Sequence, residues 1–165
     1  MKIIFLDIDG VITSLRTGWF NFDIYAIHYL RWICKETNSK IVISSTWRAN
    51  HNKDFWKSIF GEYIHDDYRT PLWYEFKPKP KYDICRGHEI KLWLDKHNNI
   101  EDYIILDDDS DMLDEQMSRL IKTDSFNGLM AKNIEEIRNV FNIKSYQNED
   151  NEIYIHPNMF SFSRK

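Results

Sequence analysis

The sequence predicts an α/β fold, a parallel sheet flanked by helices. Two observations carry that expectation. Short apolar runs alternate with stretches of helical periodicity, the pattern of strands joined by crossover helices. The runs are apolar throughout, as strands covered on both faces are. A third observation concerns function. Three of the strands stop at polar, reactive side chains, and the carboxyl ends of strands are where such sheets bind ligands.

Residues 2–6 form the first apolar run, bounded by Asp7 and Gly10. From Phe22 to about Glu36, Ile24, Ile27, Leu30, Trp32 and Ile33 recur at roughly helical spacing. Lys40–Ile43 reads as the second strand, ended by Ser44, Ser45 and Thr46. The stretch from about Trp47 to Tyr82 is irregular and aromatic-rich, and it closes in Lys77-Pro78-Lys79-Pro80. Proline there removes donors and favours extended backbone, which marks a connection. Helical periodicity returns over His88–His97 through Ile90, Leu92, Trp93 and Leu94. Tyr103–Leu106 is a third buried strand, running into Asp107, Asp108, Asp109 and Asp111. Met112–Ile121 reads as a helix, Lys122-Thr123 as the end of a short fourth strand, and Ala131–Phe141 as the last helix. From Tyr146 to Lys165 the pattern fades and no element is assigned.

A chain of 165 residues, 42% hydrophobic and 29% charged, suits one globular domain with a real core. Aromatics at 15%, six of them Trp, exceed the needs of that core, so some are expected on a binding surface. A net charge of −4 argues against an overall basic coat for nucleic acid while leaving room for a local patch. Cys34 and Cys85 are too few for a disulfide framework or a four-ligand zinc site, and the six His show no pair at ligand spacing. The first apolar run is too short for a signal peptide and no later run reaches membrane-spanning length, so a cytoplasmic setting without membrane contact is expected.

Asp7 interrupts an apolar strand, and Asp9 follows two residues on, with Gly10 free to turn the backbone. Carboxylates this close repel and need a cation or a shared proton. A second acidic cluster, Asp107 to Asp111, ends another strand. Together they make a hard oxygen cage of the kind magnesium prefers. Acidic turns are also common on solvated surfaces, and Asp109 fits that description better than Asp7 does.

The order along the chain resembles the haloacid dehalogenase (HAD) superfamily. Its four motifs match Ile4-Phe5-Leu6-Asp7-Ile8-Asp9-Gly10-Val11, Ile43-Ser44-Ser45-Thr46, Arg86-Gly87 and Ile105-Leu106-Asp107-Asp108-Asp109-Ser110-Asp111. The resemblance covers about residues 2–142, and the first motif is its most specific part. It implies a Rossmann-like sheet and a phosphatase that uses Mg2+. Asp7 would be the nucleophile that forms an aspartyl-phosphate, and Asp9 would protonate the leaving oxygen, then activate water. The Asp9 carbonyl would touch the metal. Ser45, or alternatively Ser44, would hydrogen-bond the phosphoryl group. Asp107 would ligate magnesium directly, with Asp108 or Asp111 acting through water or orienting neighbours. Families of this type usually place Lys in the third motif. Arg86 takes that place here, with Lys91 one turn further on as the reserve and Lys77, Lys79 and Lys81 as a third option.

Specificity in this superfamily comes from insertions after the first or second motif. Val11–Phe22 has room only for a flap, from which Arg16, Trp19 and Phe20 could reach a base or a phosphate or could pack on the next helix. The aromatic-rich stretch at about 47–82 is expected as a small insertion in place of a full cap, with Arg48, Trp73 and Tyr74 facing substrate. Roughly half of its aromatics are expected in a local core. Ser45-Thr46-Trp47-Arg48 and Arg86-Gly87-His88-Glu89-Ile90, with Thr123-Asp124 and Gly128-Leu129, look like compact HAD domains grouped with RNA-repair proteins and with polynucleotide kinase-phosphatase. That narrows the expected partner to a nucleotide or a nucleic-acid end. A phosphatase of small non-nucleotide esters and a non-catalytic HAD-fold binder are the alternatives. A signalling receiver domain fits poorly, since the strand that should carry its acceptor Asp ends in Ser44 and Ser45. The sequence leaves the oligomeric state open.

Overall fold

The computed structural model describes residues 1–77 and 83–143. Five strands, β1 (Lys2–Leu6), β2 (Ser39–Ile43), β3 (Ile64–Arg69), β4 (Asp102–Asp107) and β5 (Leu120–Lys122), form one all-parallel sheet in the order β3-β2-β1-β4-β5. β1 is central, and the two strands beside it are the long apolar runs that the sequence marks.

Side chains alternate across the sheet, so each strand feeds two cores. Ile4, Leu6, Ile41, Ile43, Ile104 and Leu106 face one way, onto α1 (Ile24–Thr37), α2 (Lys53–Phe60) and α4 (Ala131–Val140). Ile3, Phe5, Val42 and Ile105 face the other way, onto Ile90 and Trp93 of α3 (Arg86–Leu94). Burial on both faces is why these strands carry no polar alternation. α1 starts at Asp23, whose side chain accepts from the Tyr25 and Ala26 amides, and stops at Asn38 in the left-handed conformation.

Two expectations are corrected. The stretch from Trp47 to Tyr82 is for the most part no insertion: α2 and β3 lie within it and complete the sheet. Trp56 and Phe60 are fully buried, and Phe55, Tyr63 and Tyr68 pack against the same core. β3 escapes sequence reading because it is an edge strand, Ile-His-Asp-Asp-Tyr-Arg, of which only Ile64 is buried. The expected helix over Met112–Ile121 is instead a loop, a 3₁₀ turn at Asp114–Arg119 and the strand β5. Its Gln116 is buried, donates to the Gly87 carbonyl and accepts from the Leu113 amide, so the segment is shaped to seat the start of α3. Lys79, Lys81 and the tail from Tyr146 lie outside the described residues.

Gly87 permits that seat. A Cβ there would stand 2.4 Å from the Leu113 amide nitrogen and 2.9 Å from the Met112 carbonyl carbon, both backbone atoms that cannot yield cheaply. Gly87→Ala is expected to destabilise the protein by about 1–3 kcal/mol, the usual cost of overpacking, read as a lowered chemical-denaturation midpoint.

Candidate active site

The site is assembled by strand register. Leu6 pairs with Ile43 on one side and Leu106 on the other. The pairing runs one residue further, with the Asp7 amide donating to the Leu106 carbonyl and the Ser44 amide to the Leu6 carbonyl, both at 2.9 Å. Asp7, Ser44 and Asp107 are therefore abreast, and their parity matches Phe5, Val42 and Ile105, the face covered by α3. Asp7 and Asp107 are both buried.

The first residue of α3 enters this face. Arg86 Nη1 donates to Asp7 Oδ1 at 2.8 Å and to the Ser44 carbonyl at 2.7 Å. Its Nε lies 3.1 Å from Asp107 Oδ2, without the alignment of a hydrogen bond. Asp111 accepts from the Arg86 amide at 3.2 Å, so it holds the residue that bonds Asp7. Lys91, the reserve cation, is exposed and pairs with Asp95 on its own helix. Of the two, Arg86 is the one that meets Asp7.

Asp108 completes a carboxylate triad. Asp7, Asp107 and Asp108 each offer an oxygen within 4.8 Å of the others. Gly10 makes room, since its φ is +71° and a Cβ would stand 2.2 Å from Asp108 Oδ2. Ser125 donates to Asp108 at 2.6 Å, and Thr123 donates to the Gly10 carbonyl at 2.7 Å, so the loop after β5 braces both acidic motifs. This donor set, hard oxygens with Asp107 Oδ2 buried and without a hydrogen-bond donor, fits a divalent cation.

The electrostatics agree. Burial pushes the Asp7 carboxyl up, against the opposing pull of Arg86, the Ser45 hydroxyl and the Ile8 backbone, while Asp108 adds to the rise. Burial likewise pushes Asp107 up to about 7, with Arg86 opposing and Asp7 reinforcing. Burial acts to lower the Arg86 guanidinium, and Asp7 and Asp107 outweigh it. One Arg therefore does not relieve two abutting carboxylates, and a bound cation would.

The remaining candidates sort by position. Ser45 caps a 3₁₀ turn over Thr46–Ala49, with its hydroxyl toward the Trp47 amide and Asp7, while Thr46 is exposed. The Asp9 carboxylate stays outside the triad and accepts from Thr13 Oγ1 at 3.0 Å and Trp47 Nε1 at 2.9 Å. Arg16 is held by Asp23 and the Asn127 carbonyl, on a flap clipped to the loop after β5. Trp19, at φ +40°, is about a third exposed on the same flap.

Arg48 is a correction. It does not reach out to substrate: it is buried, ion-paired with Glu89, and donates to the Ser44, Thr70 and Pro71 carbonyls. Trp73 and Tyr74 remain exposed, at 57% and 50%, on the turn that follows. The Trp73 backbone also hydrogen-bonds Glu89, which ties that turn to the Arg48 pair. Residues that sequence reading passed over are Glu89, Ser125 and the indole of Trp47. Glu89 had a signal, an acid one turn inside a helix whose first residue is a site cation. Ser125 had none, and Trp47, though part of the Ser45-Thr46-Trp47-Arg48 stretch, gave no sign of its partner, because both contacts cross the chain fold.

A parallel sheet whose adjacent strand ends bring an Asp pair, a Ser pair and an acidic cluster to one helix-borne cation is the arrangement of a HAD-type domain. That class suggests phosphatase activity and generally works with a divalent metal. A family model described as the HAD domain in Swiss Army Knife RNA repair proteins matches residues 3–134, and the chain belongs to that family. No curated protein and no solved structure matches it. No described helix is long and apolar enough to cross a membrane.

The triad makes a pH-dependent prediction. Asp107 is raised from 3.8 to about 7 on folding, so the folded state holds its proton where the unfolded state has lost it. The stability this group contributes is present below pH 4 and is lost as pH rises to about 7. Asp107→Asn cannot ionise. The metal-free variant is expected to gain on the wild type in melting temperature between pH 5 and pH 8. Magnesium should stabilise the wild type and not the variant. A gap independent of both pH and metal would remove the account.

Proposed function

We propose that this chain is a magnesium-dependent phosphomonoesterase acting on nucleotides or the terminal phosphates of nucleic acid. The observation that carries the reading is the seat of Arg86, bonded to Asp7 at 2.8 Å beside a carboxylate triad. An ordinary structural Asp has no need of both a buried guanidinium and a metal-type donor set.

In the proposed reaction an Asp7 oxygen attacks phosphorus, and the bond to the leaving oxygen breaks as Asp9 gives that oxygen a proton. Asp9 then takes a proton from water, whose oxygen attacks the phosphorus of the acyl phosphate. Inorganic phosphate leaves and Asp7 is restored. Arg86 and the Ser45 hydroxyl hold the nucleophile and offset charge on the phosphoryl oxygens. Magnesium at Asp7, Asp107 and Asp108, with the Asp9 carbonyl, would neutralise that charge further.

The nucleic-acid part of the reading is supported by the family's RNA-repair description and by Trp73 and Tyr74, exposed on a turn anchored beside Ser44 through Glu89 and Arg48. A second reading, small non-nucleotide esters, draws on the neighbouring cations. Arg69 is engaged by Glu75 through two hydrogen bonds and Lys53 by Asp66, so these two described cations are committed within the chain and not free for a long strand.

Asp7→Asn should abolish turnover of a 3′-phosphorylated oligonucleotide in magnesium while the melting transition persists. Undiminished turnover would end the mechanism. Asp9→Asn should slow a ribose leaving group far more than an aryl one, which needs little protonation. Equal losses would make Asp9 merely structural.

Trp73→Ala or Tyr74→Ala should raise KM for a nucleotide substrate roughly tenfold, the worth of one stacked base, and affect an aryl phosphate much less. Equal effects on both would favour the small-ester reading.

A further inference from the structure

We infer that Trp47 is a positioning residue for the acid–base group Asp9, acting through its indole N–H; the inference rests on the role of Asp9 given above. The two carboxylate oxygens of Asp9 have different partners. Oδ1 faces Thr13 Oγ1 at 3.0 Å, and that hydroxyl also lies 3.2 Å from the Ile8 carbonyl. Thr13 has a single hydrogen for these two acceptors and can itself accept, so it tolerates Asp9 in either protonation state. Oδ2 faces Trp47 Nε1 at 2.9 Å. An indole nitrogen only donates. It occupies one lone pair of Oδ2 whether Asp9 is charged or neutral, so the catalytic proton resides on a position that the indole leaves open.

The indole is itself fixed. The His51 ring stacks against it with centroids 5.4 Å apart and planes 20° from parallel, and Phe22 packs at 5.6 Å. His51 Nδ1 lies 3.0 Å from the Trp47 carbonyl, tying the stack to the backbone. Trp47 also stands in the 3₁₀ turn that Ser45 caps. One turn therefore presents a hydroxyl to the nucleophile and an N–H to the acid, which sets the spacing of the two groups on either side of a phosphoryl group. A residue needed only for packing would serve equally well without the N–H.

Trp47→Phe tests the distinction, since it keeps a ring and removes the donor. The expected result is a fall in kcat on a 3′-phosphorylated oligonucleotide about tenfold greater than on an aryl phosphate, the worth of one hydrogen bond to a charged group. KM should move little. In an Asp9→Asn background the same substitution should add no further leaving-group dependence. Equal losses on both substrates, no loss on either, or additivity with Asp9→Asn would overturn the inference. Should Trp47→Phe fail to fold, the indole N–H resonances of the wild type and Asp9→Asn decide instead. The signal that contacts Phe22 and His51 is expected to shift, and an unmoved signal overturns the inference. If Asp7→Asn retains turnover, the phosphatase reading itself falls. If Asp7 and Asp9 behave as stated and Trp47→Phe is indifferent, only the role of Trp47 is lost.

Discussion

Parallel pairing of Leu6 with both Ile43 and Leu106 forces Asp7 and Asp107 side by side, where burial penalises both charges, and the rest of the site is built around that repulsion. Arg86 is inserted against both carboxylates. Asp111 receives its amide, and Gly87 lets its helix approach the Met112-Leu113 backbone closely enough to deliver it. Asp108 is admitted because Gly10 has no side chain, and it is steadied by Ser125. A gathered negative charge of this kind is unfavourable in isolation. It makes sense as a device for holding a cation.

Behind this layer stands the Arg48–Glu89 pair, with side-chain exposures of 1% and 11%. Burial outweighs the partner on both sides, lowering the guanidinium and raising the carboxyl, so the pair contributes little net stability of its own. Its value lies in geometry. Arg48 and Arg86 converge on the Ser44 carbonyl, while Glu89 receives the Trp73 backbone. The pair therefore joins the hydroxyl motif, the cation helix and the turn that displays two aromatics. Removing one partner would leave the other charge buried and alone, at a typical cost of about 3–5 kcal/mol.

Much of the fold was legible because buried parallel strands announce themselves as apolar runs. β1, β2 and β4 fall within a residue or so of where the runs place them, and α1, α3 and α4 follow the helical spacing. β3 was not legible, since an edge strand buries too little to need an apolar pattern, and the helix expected at Met112–Ile121 failed because Gln116 serves the backbone of its neighbours. Site residues followed the same division. Asp7 and Asp107 betray themselves as acids at the ends of apolar strands, whereas Arg48 looks like a surface cation in sequence and is buried in the structure.

By itself the sequence determined the central strands of the sheet, the motif order and the membership of the HAD superfamily, because periodicity and strand-end chemistry are local properties of the chain. The tertiary structure decided which cation faces Asp7, which three carboxylates converge and which donor holds Asp9. Those choices depend on strand register and on the angle at which α3 and the 3₁₀ turn meet the sheet. Contacts such as Arg86 to Asp7, 79 residues apart, arise only when the whole sheet has closed.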